Sequence, residues 1–209
     1  MKFYSGSYLF PFTWEQVATG YWQKYSQHKS KHIISEDVLS RQVIEGKLFT
    51  KRLINKSVNY AEKVVNRLTR NRDKKTWVIE ESIVDPVTKT MITYTRNIGH
   101  RDLAVVEEKC VYKVNPEKTG EVVQDKSAWI YSDQMFFGKF IQNIVYQNFK
   151  RRAGKSSGEL QSVLTKLFTV EPIDPATSNT SIVPLLKEHG IKGKAIRATK
   201  GVVHKTPKL

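Results

Sequence analysis

Trp77–Val84 (WVIEESIV) and Thr90–Asn97 (TMITYTRN), parted by the turn signal Asp85–Pro86, decide how the rest of the chain is read. Each is a short run rich in β-branched and aromatic residues bounded by a turn, which is the signature of a strand. Ala104–Val114 and Val122–Tyr131 repeat the pattern after the joints 99–102 and 115–120. Four consecutive strands with short links favour an antiparallel meander. Working outward toward the N-terminus, Leu48–Lys56 follows a turn at Gly46, and His32–Ile44 reads as a strand bent near Ser35 and Glu36. Lys2–Phe10 is a further strand that Pro11 stops. Thr13 followed by Gln16 is a capping-box pair, and Trp14, Val17, Ala18, Tyr21, Trp22 and Tyr25 then make one apolar stripe of a helix.

Toward the C-terminus, Gln134–Phe168 resumes helical periodicity, with Phe136, Phe140, Ile144 and Val145 before a polar centre and Leu160, Val163, Leu164, Leu167 and Phe168 after it. Gly154 and Gly158 in the centre each weaken a helix by roughly 1 kcal/mol relative to alanine, so the segment is either one long helix or two. The expected architecture is α+β, a curved antiparallel sheet of six or seven strands closed over by a long C-terminal helix.

Period two puts Thr50, Arg52, Ile54 and Lys56 on one side of their strand and Phe49, Lys51, Leu53 and Asn55 on the other. From pattern alone the Arg52/Lys56 side is the wet face of a half-buried sheet. Thr93, Thr95 and Asn97 share the Met91 face, and Glu81 shares the Trp77 and Ile79 face, so polar residues interrupt the apolar faces. Partial solvation and a pocket explain this equally well.

The 209 residues carry a net charge of +15 with pI about 9.8, which favours a polyanionic partner, nucleic acid or an acidic lipid surface. Ser57–Lys75 concentrates that charge: Tyr60, Val64, Val65 and Leu68 can line one face of a short helix flanked by Lys63, Arg67 and Arg70, as a membrane-contacting segment requires. The sequence modules of nucleic-acid readers are missing, and no nucleic-acid partner is expected. Residues 171–209 have the composition of a basic, largely disordered tail after a domain of about 1–170. No phosphate loop, dinucleotide fingerprint or metalloprotease motif occurs, and the histidines are too scattered for a metal site. The single Cys110 lies in mid-strand and reads as a small buried hydrophobe. Binding rather than catalysis is the expected class, with no metal and no cofactor.

Trp14–Val17, Tyr21–Tyr25, Ser30–Asp37, Lys51–Lys56, Trp77–Pro86, Thr90–Asn97 and Val106–Tyr112, in that order, resemble the PRELI/Ups/Slowmo family of lipid carriers, on its PRELI-like branch. The resemblance covers about residues 1–168. It implies a concave seven-stranded sheet enclosing a lipid cavity, covered by the long helix and by a flexible basic lid. It implies a carrier of the mitochondrial intermembrane space that moves phosphatidic acid between the outer and inner membranes for cardiolipin synthesis. It also implies a small helical twin C-x9-C protein as stabilising partner. A non-transferring adaptor for anionic membranes and a carrier preferring phosphatidylserine are the alternatives.

Carried onto this chain, the resemblance places the headgroup on Lys24, His32, Arg52, Lys56, Arg152 and Lys155. The lid and membrane contact would use Tyr60, Lys63, Val64, Val65, Arg67, Leu68 and Arg70. Lys24 stands where the family often has arginine, Asn148 where it tends to have a base and Arg152 where it tends to have asparagine. Arg152 and Lys155 are expected to face Arg52 and Lys56 across the cavity. Reversing Arg52 to glutamate is expected to lower phosphatidic acid extraction with the melting temperature largely kept.

Overall fold

Seven strands and two helices follow in the order β1 (Lys2–Phe10), α1 (Trp14–Tyr21), β2 (Ile33–Ile44), β3 (Lys47–Ser57), β4 (Lys75–Asp85), β5 (Thr90–Asn97), β6 (Val105–Asn115), β7 (Lys118–Tyr131) and α2 (Gly138–Phe168). The computed structural model describes residues 1–25, 32–57 and 75–169. The expected lid segment and the tail at 171–209 lie outside the described residues.

The strands form one antiparallel sheet in the order β1-β7-β6-β5-β4-β3-β2. β2 to β7 are a meander, and β1 returns to pair with β7, from Lys2 opposite Ile130 to Phe10 opposite Val122. β1 and β2 are therefore the free edges, and the sheet does not close into a barrel. The β2–β3 link is a two-residue turn in which Glu45 and Gly46 both take positive φ, 51° and 74°, the conformation whose twist matches that of the flanking strands. The bend foreseen near Ser35 is real: the β2–β3 register slips between Ile33 and Ser35, and again between Val38 and Ser40. At the β4–β5 turn the Asp85 carboxylate accepts from the backbone N–H groups of Val87 and Thr88 at 3.0 and 3.2 Å.

Helix α1 begins as its sequence dictates. The Thr13 hydroxyl accepts from the Gln16 N–H at 3.3 Å and the Gln16 side chain accepts from the Thr13 N–H at 2.9 Å, satisfying two amides at the helix start. Trp14, Val17, Gly20 and Tyr21 turn inward. Gly158 and Gly154 do not break α2, which runs unbroken for 31 residues. Gly154 is exposed, and a methyl group there would meet only Tyr8, at ordinary contact distance of 3.7 Å.

The core lies toward one end of the sheet, where Phe10, Val84, Met91, Tyr112 and Val122 meet Trp14, Val17 and Tyr21 of α1 and Leu160 and Leu164 of α2. Cys110 is buried here as expected. Its thiol donates to the Glu108 carboxylate at 3.2 Å, and burial pushes its pKa well up, which makes it unreactive.

The two helices touch at Gly20, where an added Cβ would stand 2.5 Å from Leu164 Cδ2. Leu164 is itself fully buried, so it has little room to yield. Gly20→Ala should therefore cost about 1–3 kcal/mol in urea unfolding. The penalty should shrink in a Leu164→Ala background, and equal penalties in both backgrounds would refute this contact.

Candidate functional site

The inner face of the sheet changes polarity along the strands. One cross-strand row joins Leu48, Val84, Met91, Tyr112 and Gln124 and belongs to the core. The next row toward the opposite end joins Thr50, Ser82, Thr93, Cys110 and Lys126, and the one after it Arg52, Glu80, Thr95 and Glu108. Thr50, Arg52, Glu80, Ser82, Thr93, Gln124 and Lys126 are all buried. Four strands, β3, β4, β5 and β7, thus contribute to a band of buried polar groups, with half-buried Glu108 of β6 among them.

Its strongest element is Arg52, 1% exposed, directly opposite Glu80, 2% exposed. The guanidinium donates from Nε to Glu80 Oε1 at 3.0 Å, and its other two nitrogens reach Glu80 and Glu36. Its flat faces are covered by the rings of Tyr21, Trp22 and Tyr25, each 5.2 Å from the guanidinium carbon. The Tyr25 hydroxyl donates to Glu80 Oε2 at 3.2 Å. Burial alone would raise the Glu80 pKa, but Arg52 and Lys24 outweigh it and hold the carboxyl down at about 2. Burial works against the Arg52 charge as well, and Glu80 more than restores it.

This corrects the reading from pattern: the Arg52 side of β3 is the buried side, not the wet one. Arg52 itself is engaged by the Glu80 and Glu36 carboxylates. The residues that sequence reasoning missed are those carboxylates, Glu80 and Glu36, together with Lys126.

Lys24 and Lys56 are placed differently. Both are half-buried. The Lys24 ammonium lies 4.7 Å from the Tyr25 ring and 5.0 Å from the Tyr21 ring, and that of Lys56 lies 5.9 Å from Tyr25. Neither has a carboxylate in salt-bridge range among the described residues. Burial and then the Lys24 charge push the Lys56 pKa down, while Lys24, opposed by burial, is raised by Tyr21 and Glu80. Two ammonium groups close enough to repel rest on tyrosine faces, with Glu80 and Glu108 acting on both from beyond salt-bridge range.

Arg152 and Lys155 do not point inward. Both are exposed, and the inward side of α2 at this level is Ala153 and Ser157. The reason is helical phase: Ala153, Ser157, Leu160 and Leu164 recur at three- and four-residue steps, residue 152 falls to the side of that stripe and residue 155 on the opposite face. They nevertheless act on His32, which is half-buried: burial first, then Lys56, Arg152 and Lys155, push its pKa down against Glu159. Asn148, one of the departures from the family pattern, accepts from Arg151. The expected lid residues, Tyr60 to Arg70, lie outside the described residues.

Lys126, 2% exposed, donates to the Ala153 carbonyl at 3.1 Å, lies 3.5 Å from Glu108 and sits 5.5 Å from the Tyr8 ring. Ser157 donates to Gln124 at 2.7 Å, and Gln124 to Tyr112 at 2.7 Å. At the opposite end of the sheet, beside Gly46 and Pro86, an open pocket of about 390 Å³ is lined by Trp14, Trp22, Val43, Leu48 and Val84 with the Glu15 carboxylate. No cation lines it, so it does not suit an anion. Among the described residues no group of three metal-ligating side chains converges.

An open sheet packed on one long helix thus buries a charged band between them. The chain matches the PRELI-like family over residues 15–171. It is 33% identical over 168 residues to the mitochondrial PRELI domain-containing protein 1 of Bos taurus, covering 80% of this chain and 77% of that one. It is 34% identical over 155 residues to its counterpart in Gallus gallus, covering 74% and 72%. Among solved structures, TTHA0849 of Thermus thermophilus superimposes with a TM-score of 0.54 at 12% identity, over 79% of this chain and 98% of that one, a likeness of fold. The chain belongs to the PRELI-like family, whose members bind and transfer lipid and are not catalysts.

The ion-pair cluster makes a stability prediction. Glu80 has a folded pKa of about 2 against an ordinary 4.5, so its contribution is complete above 4.5 and is lost as pH falls toward 2. Arg52→Met should cost about 3–5 kcal/mol at neutral pH, because it strands a buried carboxylate, whereas Arg52→Met with Glu80→Leu should cost much less. Chemical denaturation of the three proteins checks this, and an Arg52→Met protein as stable as the parent would show that the cluster does not stabilise the fold.

Proposed function

We propose that this chain is a carrier of phosphatidic acid in the mitochondrial intermembrane space, passing it between outer and inner membranes in support of cardiolipin synthesis. The observation that carries the reading is the pair Lys24 and Lys56, inward, mutually repelling and without a carboxylate in salt-bridge range among the described residues. A phosphomonoester brings between one and two negative charges, and charge-assisted bonds from ammonium groups in a low-dielectric site are strong. In this reading Lys24 and Lys56 hold the phosphate, and His32, Arg152 and Lys155 form a basic rim through which it arrives. Arg52 acts through the groups it holds: it fixes Glu80 and the Tyr21 and Tyr25 rings on which the two lysines rest. That the relatives are mitochondrial proteins supports the mitochondrial setting. Lid residues 60–70 and a twin C-x9-C helper protein belong to the same proposal on sequence resemblance.

The phosphate should change the two lysines' energetics in a readable way. Because the Lys56 pKa is depressed, its charge opposes folding at neutral pH, and Lys56→Gln should keep or raise the melting temperature. Lys24→Gln with Lys56→Gln should lower extraction of phosphatidic acid from vesicles by about a hundredfold or more, the loss of two charge-assisted bonds at ~1.5–3 kcal/mol each. Native mass spectrometry of the gently purified protein should find phosphatidic acid bound. Phosphatidylserine in its place would redirect the reading to the other cargo, and protein that floats with anionic vesicles yet moves no lipid would be an adaptor.

Histidine titration gives an independent check. An anion seated beside His32 favours the imidazolium, so loading with phosphatidic acid should move its depressed pKa upward in an NMR titration. A pKa indifferent to loading would take His32 out of the site.

A further inference from the structure

The segment between β7 and α2 shows a feature unused by the site. Met135 is 89% exposed and Phe136 86%, with Phe137 and Phe140 also exposed. Four large apolar side chains within six residues stand in solvent on a segment that is firmly tied. The Ser132 hydroxyl and the Gln134 amide donate to the backbone carbonyls of Leu103 and Asp102 in the β5–β6 loop. The Gly138 N–H donates to the Gln134 carbonyl at 2.9 Å, and that of Ile141 to the Phe137 carbonyl at 2.9 Å. A Cβ at Gly138 would stand 3.1 Å from the Ser132 carbonyl, so a close approach of backbone to backbone holds the loop. The result is a rigid hook with an apolar tip.

Its position follows from the register. β7 ends beside the start of β6, where Val105 pairs with Tyr131, and β3 ends where Ser57 pairs with Lys75. In an antiparallel sheet these ends lie on one side, so the hook shares an edge of the molecule with Lys56 and His32. Lys2 donates to Asn143 of α2 at 2.8 Å, which brings exposed Met1 to the same edge. Exposed Lys139 follows the tip directly, and exposed Arg101 lies in the loop to which the hook is tied, along with the acidic Asp102 and Asp133.

We propose that Met135, Phe136, Phe137 and Phe140 form an insertion hook that seats this edge of the protein on an anionic bilayer. Protruding aromatic and methionine side chains enter the headgroup and acyl boundary, while lysine and arginine beside them remain at the anionic surface. A chain of net charge +15 is drawn to that surface and not to a basic one. The proposal rests on the lipid-carrier reading for its choice of occupant: the hook brings to the membrane the edge that holds Lys56 and His32. It is distinct from the lid, since it lies in the β7–α2 connection.

The test uses the full chain and vesicles of phosphatidylcholine containing cardiolipin. Met135→Asp with Phe136→Asp should lower vesicle flotation about tenfold, with lipid still bound to the purified protein by native mass spectrometry. Phe136→Leu, which keeps an apolar tip, should float like the parent and so separates insertion from misfolding. Cys110 is buried and unreactive, so a Phe136→Cys protein can be labelled at the hook with an environment-sensitive fluorophore, whose emission should shift to the blue when vesicles are added. Undiminished flotation of the double variant, or an unshifted label on bound protein, would overturn the proposal. So would loss of self-association in the variant with flotation unchanged, which would assign the hook to a second copy of the chain. Hook-dependent flotation by protein that carries no lipid would defeat the carrier reading and leave the hook standing.

Discussion

The burial of one guanidinium organises the open side of this fold. Arg52 of β3 holds Glu80 on β4 and Glu36 on β2, and its faces are covered by Tyr21, Trp22 and Tyr25. Four pieces of chain are thereby joined at one point. The desolvation cost of such a charge is several kcal/mol, and it is offset only because its donors are satisfied within the protein. Such a cluster is unforgiving of rearrangement, and it fixes the relative placing of β2, β3, β4 and the end of α1.

Along the strands the molecule divides its labour. The rows that contain Val84, Met91, Tyr112 and Val122 supply the hydrophobic stabilisation, helped by both helices. The rows that contain Arg52, Glu80, Thr93 and Lys126 are buried without being apolar. Buried polar groups are costly unless paired, and the charged members of these rows are paired with one another. Lys24 and Lys56 are the conspicuous departures, with no salt-bridged carboxylate among the described residues.

Much of the architecture is legible in alternation and turn chemistry. The Thr13/Gln16 box, the Gly46 turn, the slip near Ser35 and the strands from Trp77 onward all follow from local rules. The facing of two elements does not. In β4 the residues Trp77, Ile79 and Ile83 make the more hydrophobic side, yet Val78, Glu80, Ser82 and Val84 are the buried set. Hydrophobicity misleads there because Glu80 is buried by its ion pair with a residue 28 positions away. Lys126 had a usable signal, since it is in phase with Val122, Ala128 and Ile130 of β7. Arg152 and Lys155 illustrate the converse error: their charge suggested an inward task, and the stripe of Ala153, Ser157 and Leu160 decides the orientation.

The bond from Lys126 to the Ala153 carbonyl bears on how a bulky guest could be admitted. It fastens the middle of α2 to the centre of the sheet by a buried ammonium, and the Ser157–Gln124–Tyr112 chain fastens the next turn. Swinging the helix away would break that bond and the Ser157–Gln124 bond together, while Glu108 stays beside the ammonium on the sheet. The long helix is therefore riveted at its middle to the sheet, and the segments on either side of that rivet are the freer ones to give way.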